Sequence, residues 1–226
     1  MSEELRAYVS QVGDSPTSFK VHGLVRRIIR MAFYRYFRVE VVHPERLETA
    51  GASIIAPVHR SNLDSPLVAA ASRRRFRVLA KKSLFANKPV SWFIAALGAY
   101  PVERGTADRE AMRVMRGFLE RGDSLLVFPE GTRQSGPEVG EIFDGTAFLA
   151  VKGKAKVIPV GVAGTEQAMP PGTKFPRRST VRIVVGEPLI PPGADGERVP
   201  RSELRKYTAE IRQSLQSVLD EANELL

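Results

Sequence analysis

Strand-like apolar runs alternate along this chain with helix-like segments, and that alternation limits the architecture before any single residue is weighed. The runs "VEVVH", "SIIAPV", "FRVLA", "AYPV", "SLLVF", "KVIPVGV" and "TVRIVVG" are short and nearly continuous in apolar character, as strands covered on both faces are. Between them, "SPLVAAAS", "TADREAMRVMRGFLERG" and "DGTAFLAVKG" read as helices, the second with a threonine or aspartate cap before it and a glycine stop after it. Strands separated by helices predict an α/β domain with a largely parallel sheet flanked by helices. In such sheets, sites form beyond the carboxyl ends of the strands.

The segments outside this alternation are helical or linking. Residues 1–18 look loosely ordered. "FKVHGLVRRIIRMAFYRYF" then places Val21, Leu24, Val25, Ile28, Ile29, Ala32, Phe33 and Tyr36 at three-and-four spacing, which predicts an N-terminal amphipathic helix. The proline-rich "PLIPPGADGERVP" reads as a linker, and Leu204, Tyr207, Ile211, Leu215, Val218, Leu219 and Ala222 give a last helix one apolar face. The division expected is an N-terminal segment over 1–38, a catalytic domain over 39–190, and a linker with a packed helix over 191–226.

Composition narrows the partners. Lysine and arginine number 34 against 25 aspartates and glutamates, a surplus of nine that favours polyanions: nucleic acid, anionic lipid or phosphorylated substrates. The absence of cysteine excludes a disulfide scaffold, thiolate zinc ligands and a cysteine nucleophile, and three isolated histidines make a poor metal set. "MSEELRAYVSQVGDSP" is acidic and polar where a secretory signal would be basic and then apolar, so no cleaved leader is expected. "WFIAALGAYPV" is the longest apolar run, well short of the roughly 20 residues that span a bilayer.

Two stretches carry candidate chemistry. In "APVHRSNLDSP", His59 follows a predicted strand directly and Asp64 falls near the start of the next helix, so both side chains can meet above one sheet edge. A carboxylate on one imidazole nitrogen fixes the tautomer and leaves the other nitrogen free to take a proton. Equally, Ser61, Asn62 or Asp64 can cap the helix while His59 is a satisfied turn residue. In "LLVFPEGTRQSG", Pro129 ends the ladder, Gly131 lets backbone approach a ligand, and Arg133 can grip an oxyanion bidentately. Lys81 and Arg104 also fall just after predicted strands. A base beside several cations at one edge describes a site that binds a phosphorylated alcohol and deprotonates its hydroxyl.

The order of these segments resembles the glycerolipid acyltransferase family, in particular its 1-acyl-sn-glycerol-3-phosphate acyltransferases. The first block of that family, a histidine and an aspartate separated by four residues, matches His59 and Asp64, and its second ends in an arginine matched by Arg104. Its third, Phe-Pro-Glu-Gly-Thr-Arg, is unbroken from Phe128 to Arg133, and "VIPV" at Val157 to Val160 matches the fourth. The chain departs from the family at Val58, where asparagine is frequent, and at Val102 and Glu103 before the second-block arginine.

The resemblance implies a glycerolipid acyltransferase fold over roughly residues 20–190 and acyl transfer from a thioester to a lysophospholipid hydroxyl. His59 would be the general base and Asp64 its orienting partner. Arg133, Arg104 and Lys81 would bind the acceptor phosphate, with Glu130, Gly131 and Thr132 shaping that pocket; backbone amides of the third block are candidate oxyanion donors. No cofactor is implied beyond acyl-CoA or acyl carrier protein as co-substrate. The arginines around the N-terminal stripe (Arg26, Arg27, Arg30, Arg35 and Arg38), with no acidic residue between Lys20 and Val39, suit a helix lying on the anionic surface of a membrane's cytoplasmic face. The alternative helix is one docked on the core with a solvated basic side. A non-enzymatic anion-binding module has the charge but no use for His59 or the third block. Nucleic acid is not an expected partner, because no aromatics interleave a basic strand face.

Overall fold

The computed structural model describes residues 3–102, 109–173, 175–193 and 198–226. Its centre is a seven-stranded sheet of β1 (Glu40–Val42), β2 (Ser53–Pro57), β3 (Phe76–Lys81), β4 (Ala99–Val102), β5 (Ser124–Leu126), β6 (Lys156–Ala163) and β7 (Arg182–Val185). The spatial order is β1-β7-β6-β2-β5-β3-β4. Pairing is parallel throughout except between β6 and β7, so β1 and β7 run against the other strands. All five positions of β2 are buried, which is why "SIIAP" shows no alternation.

The chain leaves β2 through α4 (Asp64–Ala71) toward β3 on one side, and leaves β5 through α7 (Gly145–Gly153) toward β6 on the other. Right-handed crossovers in opposite directions put those helices on opposite faces of the sheet. α6 (Arg109–Glu120) and α9 (Arg201–Glu224) pack beside α7, with α9 lying along β6 and β7. Tyr207, Ile211, Leu215, Val218, Leu219 and Ala222 are buried there, as the spacing in the sequence required. The other layer holds α4 and α5 (Lys88–Ala96), and a short α8 (Thr165–Ala168) follows β6. The strands β2, β3, β4, β5 and β6 all point their carboxyl ends at one edge. β2 and β5 pair Ile55 with Leu126, and β3 and β5 pair Val78 with Leu126, so His59 and Lys81 emerge at nearly the same height.

The N-terminal segment differs from the loose start expected of residues 1–18. Glu3–Gly13 forms α1, which packs on α5 and β4. Leu5, Val9 and Val12 lie four and three residues apart, and they seat the helix on the core; Val9 is 2% exposed. Ser15 then caps α2 (Pro16–Ile28), accepting the Ser18 N–H at 3.3 Å. Arg77 bridges Asp14 and Asp123, tying the helix junction to the sheet.

From Ile29 to Phe33 the helix winds as a π-helix before ending in α3 (Tyr34–Tyr36). A π turn takes one extra residue, so every later position is rotated relative to an α-helical register. Val25 and Ile29 face the core as the apolar stripe requires. The next inward side chains are Tyr34 and Phe37, at 9% and 0% exposure, while Ala32, Phe33 and Tyr36 of the predicted stripe are exposed. Tyr34 donates its hydroxyl to the Leu67 carbonyl of α4 at 2.8 Å, and burial pushes its phenol up to about 12. Among the described residues, no helix is long and apolar enough to cross a membrane.

Candidate active site

The turn that leaves β2 is organised by one carboxylate. Asp64 is fully buried, and its Oδ2 accepts the backbone N–H of Arg60 at 2.6 Å and of Ser61 at 2.7 Å, and faces His59 Nδ1 at 3.1 Å. Its Oδ1 accepts the Thr165 hydroxyl at 2.6 Å. An ionised carboxylate is acceptor-only, and donors converging on it require Nδ1 to carry the proton. His59 therefore presents Nε2 with its lone pair, and that atom bonds to nothing among the described residues. The imidazole lies flat on Phe128, ring centroids 3.9 Å apart and planes 23° from parallel.

The helix-cap alternative is resolved by direction. α4 begins at Asp64, its N-cap position is Leu63, and no side chain caps it. The aspartate points back at the amides before it, so it shapes the turn and orients the histidine with the same oxygens. Ser61 is 1% exposed and donates its hydroxyl to the Met169 carbonyl at 3.2 Å.

The third block crosses beside this turn because β5 pairs with β2. Glu130 and Gly131 were read as shaping a phosphate pocket; the geometry corrects this for the Glu130 side chain, which points inward and is buried. Its Oε2 accepts the His59 N–H at 2.7 Å, its Oε1 accepts the Gly140 N–H at 3.0 Å, and Arg60 Nη1 reaches the two oxygens at 3.0 and 3.2 Å. Arg60, itself 4% exposed, also donates through Nη2 to the Glu138 carbonyl at 2.9 Å. With its oxygens taken up by protein donors, Glu130 acts on the site by holding the His59 backbone and the 138–140 loop.

The remaining block residues sit outside that buried pair. Gly131 has φ +68°, a conformation that L side chains resist, and its amide bonds the Phe128 carbonyl at 3.0 Å. The Thr132 amide bonds the Glu130 carbonyl at 2.7 Å, so both amides serve the turn instead of standing free as oxyanion donors. The Thr132 hydroxyl accepts from Gln134 Nε2 at 3.1 Å, and the Gln134 amide donates to the His59 carbonyl at 2.8 Å. Arg133, one residue earlier, is thereby held at the mouth; it is exposed and makes no hydrogen bond or ion pair among the described residues.

Lys81 ends β3, which lies two strands from β2, or about 10 Å at ordinary strand spacing. Its ammonium is exposed and without an ion-pair partner among the described residues. Arg104, the remaining cation read from the sequence, lies outside the described residues.

Two contributors escaped the sequence reading. Arg60 stands inside the first block and its partner Glu130 inside the third, and opposite charges in two converging turns were the available sign. Thr165 follows β6 at the same carboxyl edge that carried the other candidates. It reaches Asp64 because Gly164, at φ +87°, turns the chain sharply where an added Cβ would lie 1.9 Å from the Thr180 carbonyl.

Comparison with known proteins bears on the family and the fold. The sequence profile of the family described as Acyltransferase matches residues 38–163, which contain the dyad, the third block and the whole of β6. The 1-acyl-sn-glycerol-3-phosphate acyltransferase of Bacillus subtilis is 26% identical over 189 residues, covering 83% of this chain and 91% of its own. The chloroplast 1-acyl-sn-glycerol-3-phosphate acyltransferase of Arabidopsis thaliana is 23% identical over 185 residues, covering 80% of this chain, and the chain spans only 52% of that longer relative. A crystal structure of the 1-acyl-sn-glycerophosphate acyltransferase of Thermotoga maritima superposes with a TM-score of 0.72 at 27% identity, over 90% of this chain and 79% of the other.

Proposed function

The chain belongs to the acyltransferase family, and from that premise we propose that it transfers an acyl group from a thioester to the free hydroxyl of 1-acylglycerol 3-phosphate, yielding phosphatidic acid. The observation that carries the reading is the His59 imidazole: Nδ1 held on buried Asp64, Nε2 unbonded, with the unpaired cations Arg133 and Lys81 on the same sheet edge. Relatives named as 1-acyl-sn-glycerol-3-phosphate acyltransferases support the acceptor.

In this reading His59 Nε2 removes the acceptor hydroxyl proton as the oxygen attacks the thioester carbonyl. The C–O bond forms, the C–S bond breaks, and the proton passes from the imidazolium to the departing thiolate. Asp64 keeps the imidazole oriented and stabilises its charged form. The thioester is already activated, so no acyl-enzyme is needed. Arg133, Lys81 and Arg104 bind the acceptor phosphate, which lies away from the reacting hydroxyl and serves to align it. The acyl donor is carried by CoA or acyl carrier protein.

The protein works peripherally at the cytoplasmic face of a membrane. Leu24, Ile28, Met31, Phe33 and Tyr36 form an exposed apolar strip along α2, the π turn and α3, with Arg27 and Arg35 exposed on the same segment. Arg26 and Arg30 have a different use: they donate to the Ser72 and Ala70 carbonyls at the end of α4, where a helix favours cations.

The test is release of free thiol from an acyl thioester with and without lysophosphatidic acid. Acceptor-dependent release is expected, and release that ignores the acceptor would identify a hydrolase. Comparing lysophosphatidic acid with a neutral monoacylglycerol then reads the phosphate site. Arg133→Lys should raise the acceptor KM more than the donor KM, by several-fold, and erase much of the preference. A parent enzyme without that preference would sink the phosphate assignment.

A further inference from the structure

Phe175 is the most exposed large apolar side chain among the described residues, at 82%. It stands in the loop that joins α8 to β7, and that loop is braced. The Arg177 amide donates to the Ala168 carbonyl at 2.7 Å, the Thr173 hydroxyl and amide both donate to the Pro170 carbonyl, and the Val181 amide donates to Phe37 at 3.0 Å. Pro170, Pro171 and Pro176 further restrict the backbone. The described residues on both sides of the ring are thus tied to the body of the protein, while the ring itself stands in solvent.

The surroundings are cationic. No acidic residue occurs between Glu166 and Glu187. Arg177 and Arg178 are exposed and form no ion pair among the described residues. The topology fixes where this loop lies. β6 and β7 are antiparallel, pairing Ala163 with Arg182, so the loop sits at the edge where β2 delivers His59. Its first end meets the turn between His59 and Asp64, where Ser61 donates to the Met169 carbonyl, and the preceding α8 reaches Asp64 through Thr165. Its last end meets Phe37, one residue past α3 and its exposed Tyr36. The loop thus runs from the turn that holds His59 to the terminus of the apolar strip.

We propose that residues 175–178 form a second lipid-contacting element, with Phe175 entering the acyl boundary of an anionic bilayer and Arg177 and Arg178 engaging headgroup phosphates. The inference deepens the lipid-acceptor reading and rests on it. A single exposed aromatic flanked by exposed arginines suits an anionic bilayer: lipid conforms to one wedge, whereas a protein partner needs a complementary patch of roughly 800 Å² on each side. Two contacts flanking the site would set its mouth against the membrane surface, so that an acceptor reaches His59 without leaving the interface.

The chain contains no cysteine, so Phe175→Cys provides a unique site for an environment-sensitive fluorophore. Met31→Cys on the apolar strip and Ser217→Cys on the outer side of α9 serve as lipid-facing and solvent-facing references. With vesicles of equal parts phosphatidylcholine and phosphatidylglycerol, the 175 label should brighten, shift to the blue and be quenched by brominated lipid, while the 217 label stays unchanged. Arg177→Gln and Arg178→Gln should each weaken vesicle binding about five-fold. A silent label at 175 beside a responsive one at 31 overturns the loop proposal and leaves the N-terminal contact standing. Silence at both positions overturns membrane docking altogether, while thiol release with a short-chain, water-soluble lysophosphatidic acid decides independently whether the transferase reading survives. A 175 label that responds to acyl carrier protein and not to vesicles also overturns the proposal, in favour of a protein partner.

Discussion

The turn around His59 and the helix that runs from Pro16 to Tyr36 are held in opposite ways. Around His59, two buried carboxylates collect donors from residues far apart in sequence: Asp64 binds Thr165, and Glu130 binds Arg60, Gly140 and the His59 amide. Removing one partner there leaves a charge in a dry place. Along the helix, one side docks through Ile29 and Tyr34, and the other offers Leu24, Ile28 and Met31 to solvent. Changes on that outer side are small and additive. Chemistry needs a fixed geometry, whereas attachment to a surface needs accumulated area and charge.

The sharpest break between the two regions is His59→Ala. It should lower transfer by about 100- to 10,000-fold, the usual range for a lost general base. Thermal unfolding should move less than in the buried-pair variants below, because Asp64 keeps the Arg60 and Ser61 amides and the Thr165 hydroxyl as donors. A variant that turns over near the parent rate would end the dyad assignment.

Next in size is the buried pair. Arg60→Leu should destabilise the fold by about 3–5 kcal/mol, since it strands the Glu130 carboxylate, and activity should fall with it. The double variant Arg60→Leu/Glu130→Leu should recover part of that stability but not the rate, because removing Glu130 takes away the acceptor of the His59 amide. Denaturant unfolding of the parent, Arg60→Leu, Glu130→Leu and the double variant gives the coupling energy. Additive losses would mean that the pair does not hold the turn.

The helix should respond more weakly. Arg27→Gln with Arg35→Gln should reduce binding to anionic vesicles by about 1 kcal/mol per arginine and leave unfolding unchanged. Arg26→Gln should behave differently, affecting stability as well, because its guanidinium holds the Ser72 carbonyl. Indistinguishable behaviour of the two classes would erase the contrast drawn between the outer and inner arginines.

A pH-dependent effect confined to acid conditions concerns His22, on the docked side of the helix beside a mostly apolar cavity of about 210 Å³. Burial, then the charges of Arg75 and Arg26, lower its pKa to about 4 from 6.5. The unfolded chain therefore binds more protons than the native one between those values. The contribution of His22 is fully present above pH 6.5 and is lost as pH falls toward 4. His22→Gln should flatten that part of the stability profile relative to the parent. Parallel profiles would place the histidine in water.

Much of this was readable from the sequence because it is written in local offsets. Apolar runs of strand length separated by helical periodicity specify a parallel sheet, and a residue directly after a strand falls at the carboxyl edge whatever the neighbouring strands are. His59, Asp64, Lys81 and Arg133 were legible on those terms, as was the buried face of α9. The second helix of the N-terminal segment was legible too, but its register was not: a π turn at Ile29–Phe33 rotates Ala32, Phe33 and Tyr36 outward and brings Tyr34 and Phe37 in.

What only the tertiary structure decided is which charges are free. Arg133 is exposed while Arg60 is buried on Glu130, and Arg27 is exposed while Arg26 caps α4, yet each pair is equally basic on paper. Thr165 is 101 residues from Asp64 and became its partner only because β6 lies next to β2. A side chain's role depends on whether a partner arrives from another element to take its hydrogen bonds. Strand order and helix register determine that arrival, and they are settled by the burial of the whole core, which no local window of sequence contains.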